Sequence, residues 1–451
     1  MPLRSITFLV YFFGSSAAAL AFPMVGVICY IVLYHVYPQS TWWGASIQFL
    51  GIRYAYVCGV CLFIGTVLNL NRLPFGRRFM HPVEWGMLLV FLAMLISTAT
   101  GTPWDYLSAM FLDKMAKVFL FSFMLSHVVV TRRRVWLVVA TLVLLALYLG
   151  HEAKIAPLSK FTHNRLDGIG GPDFAESSGL AVHLFALLPF IVLLLRHKSL
   201  WMRLVAFLSA CYSINAILLC RTRSAFVAGM TAGAMAIWYV PRRQRRWVVV
   251  VLLLGVIGSA VLSDQWFRER MLTILSSAEE RDRSAATRLT IWATAWEMFK
   301  QNPMGVGIGH FEREIGNYAA DRYIERRDAH NSFVLCATET GIFGITAFVA
   351  TLAMSWRTLA RLNRRAKARL ANPQPFEHLI FANRLALLVY IVAGLFVSRF
   401  YTEALWWLIV LPVSLSRAVE NEIRAEAREE VVVPVQLLGQ AGHGGMPELA
   451  L

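Results

Sequence analysis

Apolar runs of about 17 to 22 residues recur along the chain between short polar or basic segments, the length a helix needs to cross a hydrocarbon core of roughly 30 Å. The runs lack the period-two alternation of a barrel strand, and backbone groups in lipid have no water partner, so helices are the expected spans. The pattern predicts spans over 6–37, 50–69, 84–100, 109–130, 135–150, 177–195, 201–219, 222–240, 247–263, 331–355, 380–398 and 402–417. The first reads as one long helix or as two short ones meeting near Pro23, which makes the count twelve or thirteen. The expected fold class is an all-α polytopic membrane protein with about 12 transmembrane helices and one large insert.

Composition agrees: 57% of the 451 residues are hydrophobic and 16% are charged. The formal net charge of +16 would suggest nucleic acid in a soluble protein. Here the charge sits in short loops, at Arg77 and Arg78, Arg132 to Arg134, Arg196 to Lys198, Arg242 to Arg246 and Arg361 to Arg369. The positive-inside rule assigns such loops to the cytoplasm, where they meet anionic lipid, and no nucleic-acid partner is expected. They alternate with less basic loops, as successive crossings require. The insert falls in that second set, with Arg and Lys balanced by Asp and Glu, so it is expected on the outer, periplasmic face of a bacterial inner membrane.

The organisation expected is a helix bundle over 1–263, a periplasmic insert over 264–330, further spans over 331–417, and a partly disordered cytoplasmic tail over 418–451. The apolar N-terminal stretch reads as a retained anchor, since no small-residue cleavage site follows it. Both termini are expected in the cytoplasm. Cysteines 29, 58, 61, 211, 220 and 336 lie in or beside apolar runs, so Cys58-Gly-Val-Cys61 reads as packing and not as a redox pair.

The insert is too long to lack structure of its own. Residues 284–300 predict a helix capped by Ser284, with Trp292, Ala295, Trp296 and Phe299 on one face, a pattern suited to a membrane interface. Asn302-Pro303 ends it, and Gly305 to Gly309 form a turn.

Several charged residues stand out against this background. Arg288 falls on the aromatic face of the predicted helix, either as a snorkelling or cation–π arginine or as an anion ligand at the membrane surface. Arg221 and Arg223 occupy a tight outer turn, against the positive-inside pattern, and an arginine fork suits phosphate. On a continuous helix they would be about 200° apart and unable to share a ligand.

His330-Asn331-Ser332 precedes an apolar run, so Asn331 or Ser332 is expected to cap it, while His330 suits proton transfer. Glu339 is ionisable inside that run and out of phase with His330 on a straight helix. Either the helix begins after His330 or Glu339 pairs elsewhere, for example with an arginine. Arg53, Asp113, Lys114, Lys117 and Glu403 read as charges that pair to fix helix packing. Asp167 to Asp173 reads as a turn. No metal-ligand spacing, nucleotide loop or nucleophile motif accompanies them, so neither metal nor cofactor is expected.

Thr222-Arg-Ser-Ala225, Arg288-Leu-Thr-Ile-Trp292, Asn302-Pro-Met-Gly-Val-Gly-Ile-Gly-His-Phe311, His330-Asn-Ser-Phe and Glu339-Thr-Gly341 resemble, in order, motifs of the O-antigen ligase and Wzy-type polymerase superfamily. The resemblance runs from about residue 45 to 417. Arg53-Tyr-Ala-Tyr, Lys117 and Gly170-Gly-Pro-Asp also resemble the exopolysaccharide-associated branch.

The resemblance implies a GT-C-like, metal-independent membrane glycosyltransferase that takes undecaprenyl-diphosphate-linked glycan as donor. The acceptor is a glycan, lipid A core or a protein. It implies diphosphate binding by Arg223 and Arg288, with Arg221 ranked behind them, and His330 and Glu339 as catalytic and supporting residues. A transporter or flippase of lipid-linked sugar is the rival reading, and a scaffold for an export complex a third. Polymerase and ligase both stay open.

Overall fold

The computed structural model describes the chain except residues 73–78, 241, 273–277, 320–325 and 442–451, so Arg77 and Arg78 lie outside the described residues. It is 80% helical. The helices are α1 (Leu3–Ala21), α2 (Pro23–His35), α3 (Tyr54–Leu68), α4 (Pro82–Thr100), α5 (Tyr106–Val128), α6 (Arg132–Lys154), α7 (Ser177–Leu195), α8 (Leu200–Cys220), α9 (Arg223–Tyr239), α10 (Arg242–Leu262), α11 (Gln265–Leu272), α12 (Ala278–Gln301), α13 (Phe311–Glu314), α14 (Ser332–Arg369), α15 (Gln374–Ala393) and α16 (Glu403–Ala441).

The first apolar stretch is two helices, broken at Phe22 with Pro23 opening the second, where a missing N–H costs nothing. The chain is not purely α: β1 (Phe161–Thr162) and β2 (Arg165–Leu166) form a small antiparallel hairpin between α6 and α7. His163 and Asn164 both adopt left-handed φ at its tip, a tight-turn signal that a search for long apolar runs passes over.

Among the described residues, seven helices are long and apolar enough to cross a membrane, or eight if the bent pair Gly44–Leu50 and Tyr54–Leu68 is one span. The sequence pattern counts more because several of its spans are helices that are short or charged. α2 has 13 residues and α9 has 17, while α5 carries Asp113, Lys114 and Lys117. α16 continues to Ala441, beyond the point where an irregular tail was expected at 418.

Outward faces carry large apolar side chains such as Leu88, Leu89 and Leu92 on α4, as suits a lipid-facing surface and not an aqueous one. α4 packs along α14, α6 and α7 flank α8, and α15 lies against α7 and α9.

Four of the five charges expected to fix helix packing, Asp113, Lys114, Lys117 and Glu403, have partners in the bundle. Lys114 Nζ lies 2.6 Å from Asp173, which also accepts from the Tyr34 hydroxyl at 2.9 Å and from the Glu403 backbone N–H at 2.9 Å. Lys117 pairs with Asp113 one turn away, and Glu403 accepts from Tyr30 at 3.1 Å. The Asp167 to Asp173 loop is a turn in which Asp167 accepts the Ser177 N–H at 2.6 Å. All six cysteines are free thiols.

Candidate active site

The insert is locked to the bundle through a break in α14. Gly341 has φ 67° and ψ −167°, which interrupts the helix and lets the Ile342 N–H reach Pro303 O at 2.9 Å. A Cβ on Gly341 would strike the backbone of Pro303 and Met304. The loop 303–309 threads between α4 and α14: Val306 N–H donates to Thr338 O at 3.0 Å, and Thr102 N–H to Val306 O at 3.0 Å.

Glu339 closes this lock. Its Oε1 accepts the Phe311 N–H at 2.9 Å, and the Tyr401 hydroxyl donates to Oε2. Its backbone oxygen accepts from Ser97, whose hydroxyl also receives the Gly307 N–H at 3.0 Å. Its partners are therefore a tyrosine and a backbone amide and not an arginine. The geometry places it in support of the insert.

His330 stands just before α14 with φ 46°, and Asn331 is the N-cap, accepting from Phe333 N–H at 2.9 Å and Val334 N–H at 3.2 Å. The helix thus starts after the histidine and frees it from the helical phase. His330 Nδ1 lies 3.1 Å from Asp328 Oδ2, and Asp328 Oδ1 accepts the Ser398 hydroxyl at 2.6 Å. Burial would push the Asp328 carboxyl up, but the hydrogen bonds from His330 and Ser398 outweigh it and hold it below the ordinary carboxylate range. A carboxylate so anchored fixes Nδ1–H toward itself and leaves Nε2 facing out as a proton acceptor.

Two further carboxylates border this pair. Glu176 is held by Arg399 at 2.9 Å, and the Arg399 backbone N–H donates to Ser332 Oγ at 2.7 Å beside the start of α14. Glu312 is pushed up, first by burial and then by Asp328 and Glu176, with His330 acting in the opposite direction.

α12 starts at Ala278, so Ser284 lies inside the helix and does not cap it. Its buried stripe is Ile291, Thr294, Ala295 and Met298, while Trp296 stacks on Phe299 at the surface, so the aromatic face is split between protein and exterior. Trp292 Nε1 donates to Ala329 O at 2.9 Å, which ties α12, one turn after Arg288, to the residue that precedes His330.

Arg288 is half-buried, and burial first, then the charge of Arg223, holds its guanidinium below the usual arginine range. Arg165 in β2 is held below that range by burial and by Arg223 as well, against the opposing pull of Asp167 and Glu176. The charge of Arg223 thus acts both on Arg288 in the insert and on Arg165 in the hairpin.

Arg221 is placed differently. It ends α8 in a left-handed conformation, φ 48°, with Thr222 extended, so the helical phase argument for the two neighbouring arginines does not apply. Its guanidinium donates to Asn164 O and pairs with Asp264, which caps α11 by accepting Phe267 N–H at 2.7 Å.

Sequence reasoning passed over Arg165, Asp328 and Glu312. The available signals were weak: a turn-forming His-Asn pair before Arg165, and an acid two residues before a histidine. Among the described residues, no three His, Cys, Asp or Glu side chains come together as a metal-ligand set.

Residues 206–349 match a family model described as Wzy_C, O-antigen ligase, which supports the O-antigen ligase and Wzy-type superfamily. No curated protein matches the chain. The matched stretch holds Arg223, Arg288, His330 and Glu339.

Proposed function

We propose that this multi-pass membrane protein, with an O-antigen ligase segment over residues 206–349, transfers or polymerises a glycan carried on undecaprenyl diphosphate at the periplasmic face. The observation that supports the reading is the His330–Asp328 pair, 3.1 Å apart, in a turn that Trp292 ties through Ala329 to the helix bearing Arg288, whose guanidinium in turn feels the charge of Arg223. A base next to a phosphate-binding set is what an acceptor hydroxyl and a lipid-diphosphate donor require.

In the proposed step the acceptor oxygen attacks the anomeric carbon, and its proton goes to His330 Nε2. The bond from that carbon to the diphosphate oxygen breaks, its electron pair leaves on the lipid diphosphate, and the anomeric configuration inverts. Asp328 stabilises the imidazolium as it forms. Arg223 and Arg288 bind the diphosphate and stabilise the charge that grows there, the larger of the two contributions. Glu339 holds the insert in place for this step. The arrangement calls for no nucleotide.

The acceptor is another lipid-linked glycan, lipid A core or a protein, and the donor half of the site serves each alike. The test is transfer by purified protein in detergent, where a flippase has no compartments to connect. Loss of transfer in His330→Ala and Arg288→Ala is expected; transfer at the parent rate in both variants would sink the reading. Deletion followed by analysis of surface glycans separates the two activities. Loss of long chains with single units retained marks a polymerase, and long chains left on carrier lipid mark a ligase.

A further inference from the structure

Arg221 joins three separate segments. The residue is buried, at 7% exposure, and its side chain ties the hairpin tip at Asn164 O and the head of the insert at Asp264 to the turn between α8 and α9. Arg165 follows Asn164 directly, and Arg223 stands two residues after Arg221, so this tie brings the strand bearing Arg165 to the turn that leads into Arg223, and the charge of Arg223 acts on Arg165. The hairpin lies outside the stretch that matches the O-antigen ligase family model.

Polar atoms here lack partners. Arg165 Nε, Arg221 Nε and the Thr222 hydroxyl are buried without a hydrogen-bond partner among the described residues, and Thr222 is only 4% exposed. Burying a guanidinium N–H with nothing to accept from it is unfavourable, and a second arginine beside it adds repulsion. An anion with several oxygens relieves both, and guanidinium forks fit phosphate oxygens two at a time.

We infer that Arg165 is a third ligand of the donor's diphosphate and that Arg221 is a positioning residue that delivers it, not itself a ligand. The inference rests on the lipid-diphosphate reading above. The donor diphosphate carries two ester links and the departing one a single link, so charge on it rises as the glycosidic bond breaks. A third arginine is felt most in that transition state and in the lipid-diphosphate product.

The test measures binding of undecaprenyl diphosphate, together with transfer kinetics, on purified full-length protein in detergent. Arg165→Gln is expected to weaken binding about 10- to 100-fold and to lower kcat, with ligand-free thermal stability equal to or above the parent's, since a guanidinium with a buried, unpartnered Nε is removed. Arg165→Lys, which keeps the charge but not the fork, should fall between. Arg221→Gln is expected to lower both binding and ligand-free stability, because the tie itself is lost.

If Arg165→Gln and Arg165→Lys bind the probe like the parent while Arg223→Gln does not, the inference is overturned and the functional reading stands. Parent-like binding in Arg223→Gln and Arg288→Gln as well would overturn both.

Discussion

His330 Nδ1 and Asp328 Oδ2 lie 3.1 Å apart across a backbone turn in which the histidine takes a left-handed φ of 46°. That conformation is unfavourable for a non-glycine residue and is maintained by what surrounds it: the Asn331 cap, the Ser398 bond to Asp328 and the Trp292 bond to Ala329. The turn therefore has a defined shape before substrate arrives. His330→Ala should lower kcat by about 10²- to 10⁴-fold, the usual weight of a general base. Asp328→Ala should act in the same direction by less, at unchanged donor KM. Steady-state transfer kinetics check this, and an effect of Asp328→Ala confined to KM would contradict it.

Arg288 stands on α12 in the insert and Arg223 on α9 in the bundle, and in the proposed reading the two would bind one diphosphate from different elements. Arg288→Ala should raise donor KM and lower kcat together, by about 10-fold or more for the loss of a charged hydrogen-bond donor. Arg288→Lys should recover part of it, because lysine offers a charge without the planar fork. Donor titrations on the two variants distinguish a phosphate ligand from a snorkelling arginine, for which lysine would serve equally well.

Glu339 shows how far a sequence can be read here. An acid in an apolar run announces itself, and so does the glycine loop, but which group meets the acid depends on a break at Gly341 that no periodicity contains. His330 and the arginines drew attention in the sequence because charges in or beside apolar runs, away from the strongly basic loops, are unusual. Arg165 and Asp328 were not, because a hairpin of two-residue strands and an acid in a polar loop have many ordinary explanations. The helices themselves were legible almost throughout, since lipid imposes length and apolarity on them.

Glu339→Ala should destabilise the protein more than it harms an intact site directly. It leaves the Phe311 N–H and the Tyr401 hydroxyl without their acceptor in a buried position, at about 1–3 kcal/mol each. Tyr401→Phe removes one of the two bonds and should cost less. Thermal unfolding in detergent orders parent, Tyr401→Phe and Glu339→Ala; equal stability of all three would refute the supporting role.

Gly341→Ala tests the break in α14. The residue needs φ 67° and ψ −167°, and an added methyl meets the Pro303 and Met304 backbone. Strain of about 1–3 kcal/mol is expected from the backbone alone, with more from displacement of the loop. Activity should fall with stability, because the loop that would move also leads into α13 and Glu312. A Gly341→Ala variant with parent stability would mean that the helix can pass this point unbroken.

Glu312 supplies the pH dependence. Its side chain is exposed to solvent, yet its carboxyl is pushed up by partial desolvation and by the nearby charges of Asp328 and Glu176, against the opposing pull of His330. A raised acid is favoured in its neutral form by the folded state. Its contribution to stability is therefore fully present below the ordinary glutamate value, about 4.3, and is lost as pH rises through the folded value. Glu312→Gln keeps the neutral shape at every pH. The variant should match the parent near pH 4 and become the more stable of the two as pH rises above that range. Unfolding temperatures across that interval decide the matter, and a gap that is constant with pH, or that favours the parent at neutral pH, would place Glu312 away from Asp328 and Glu176.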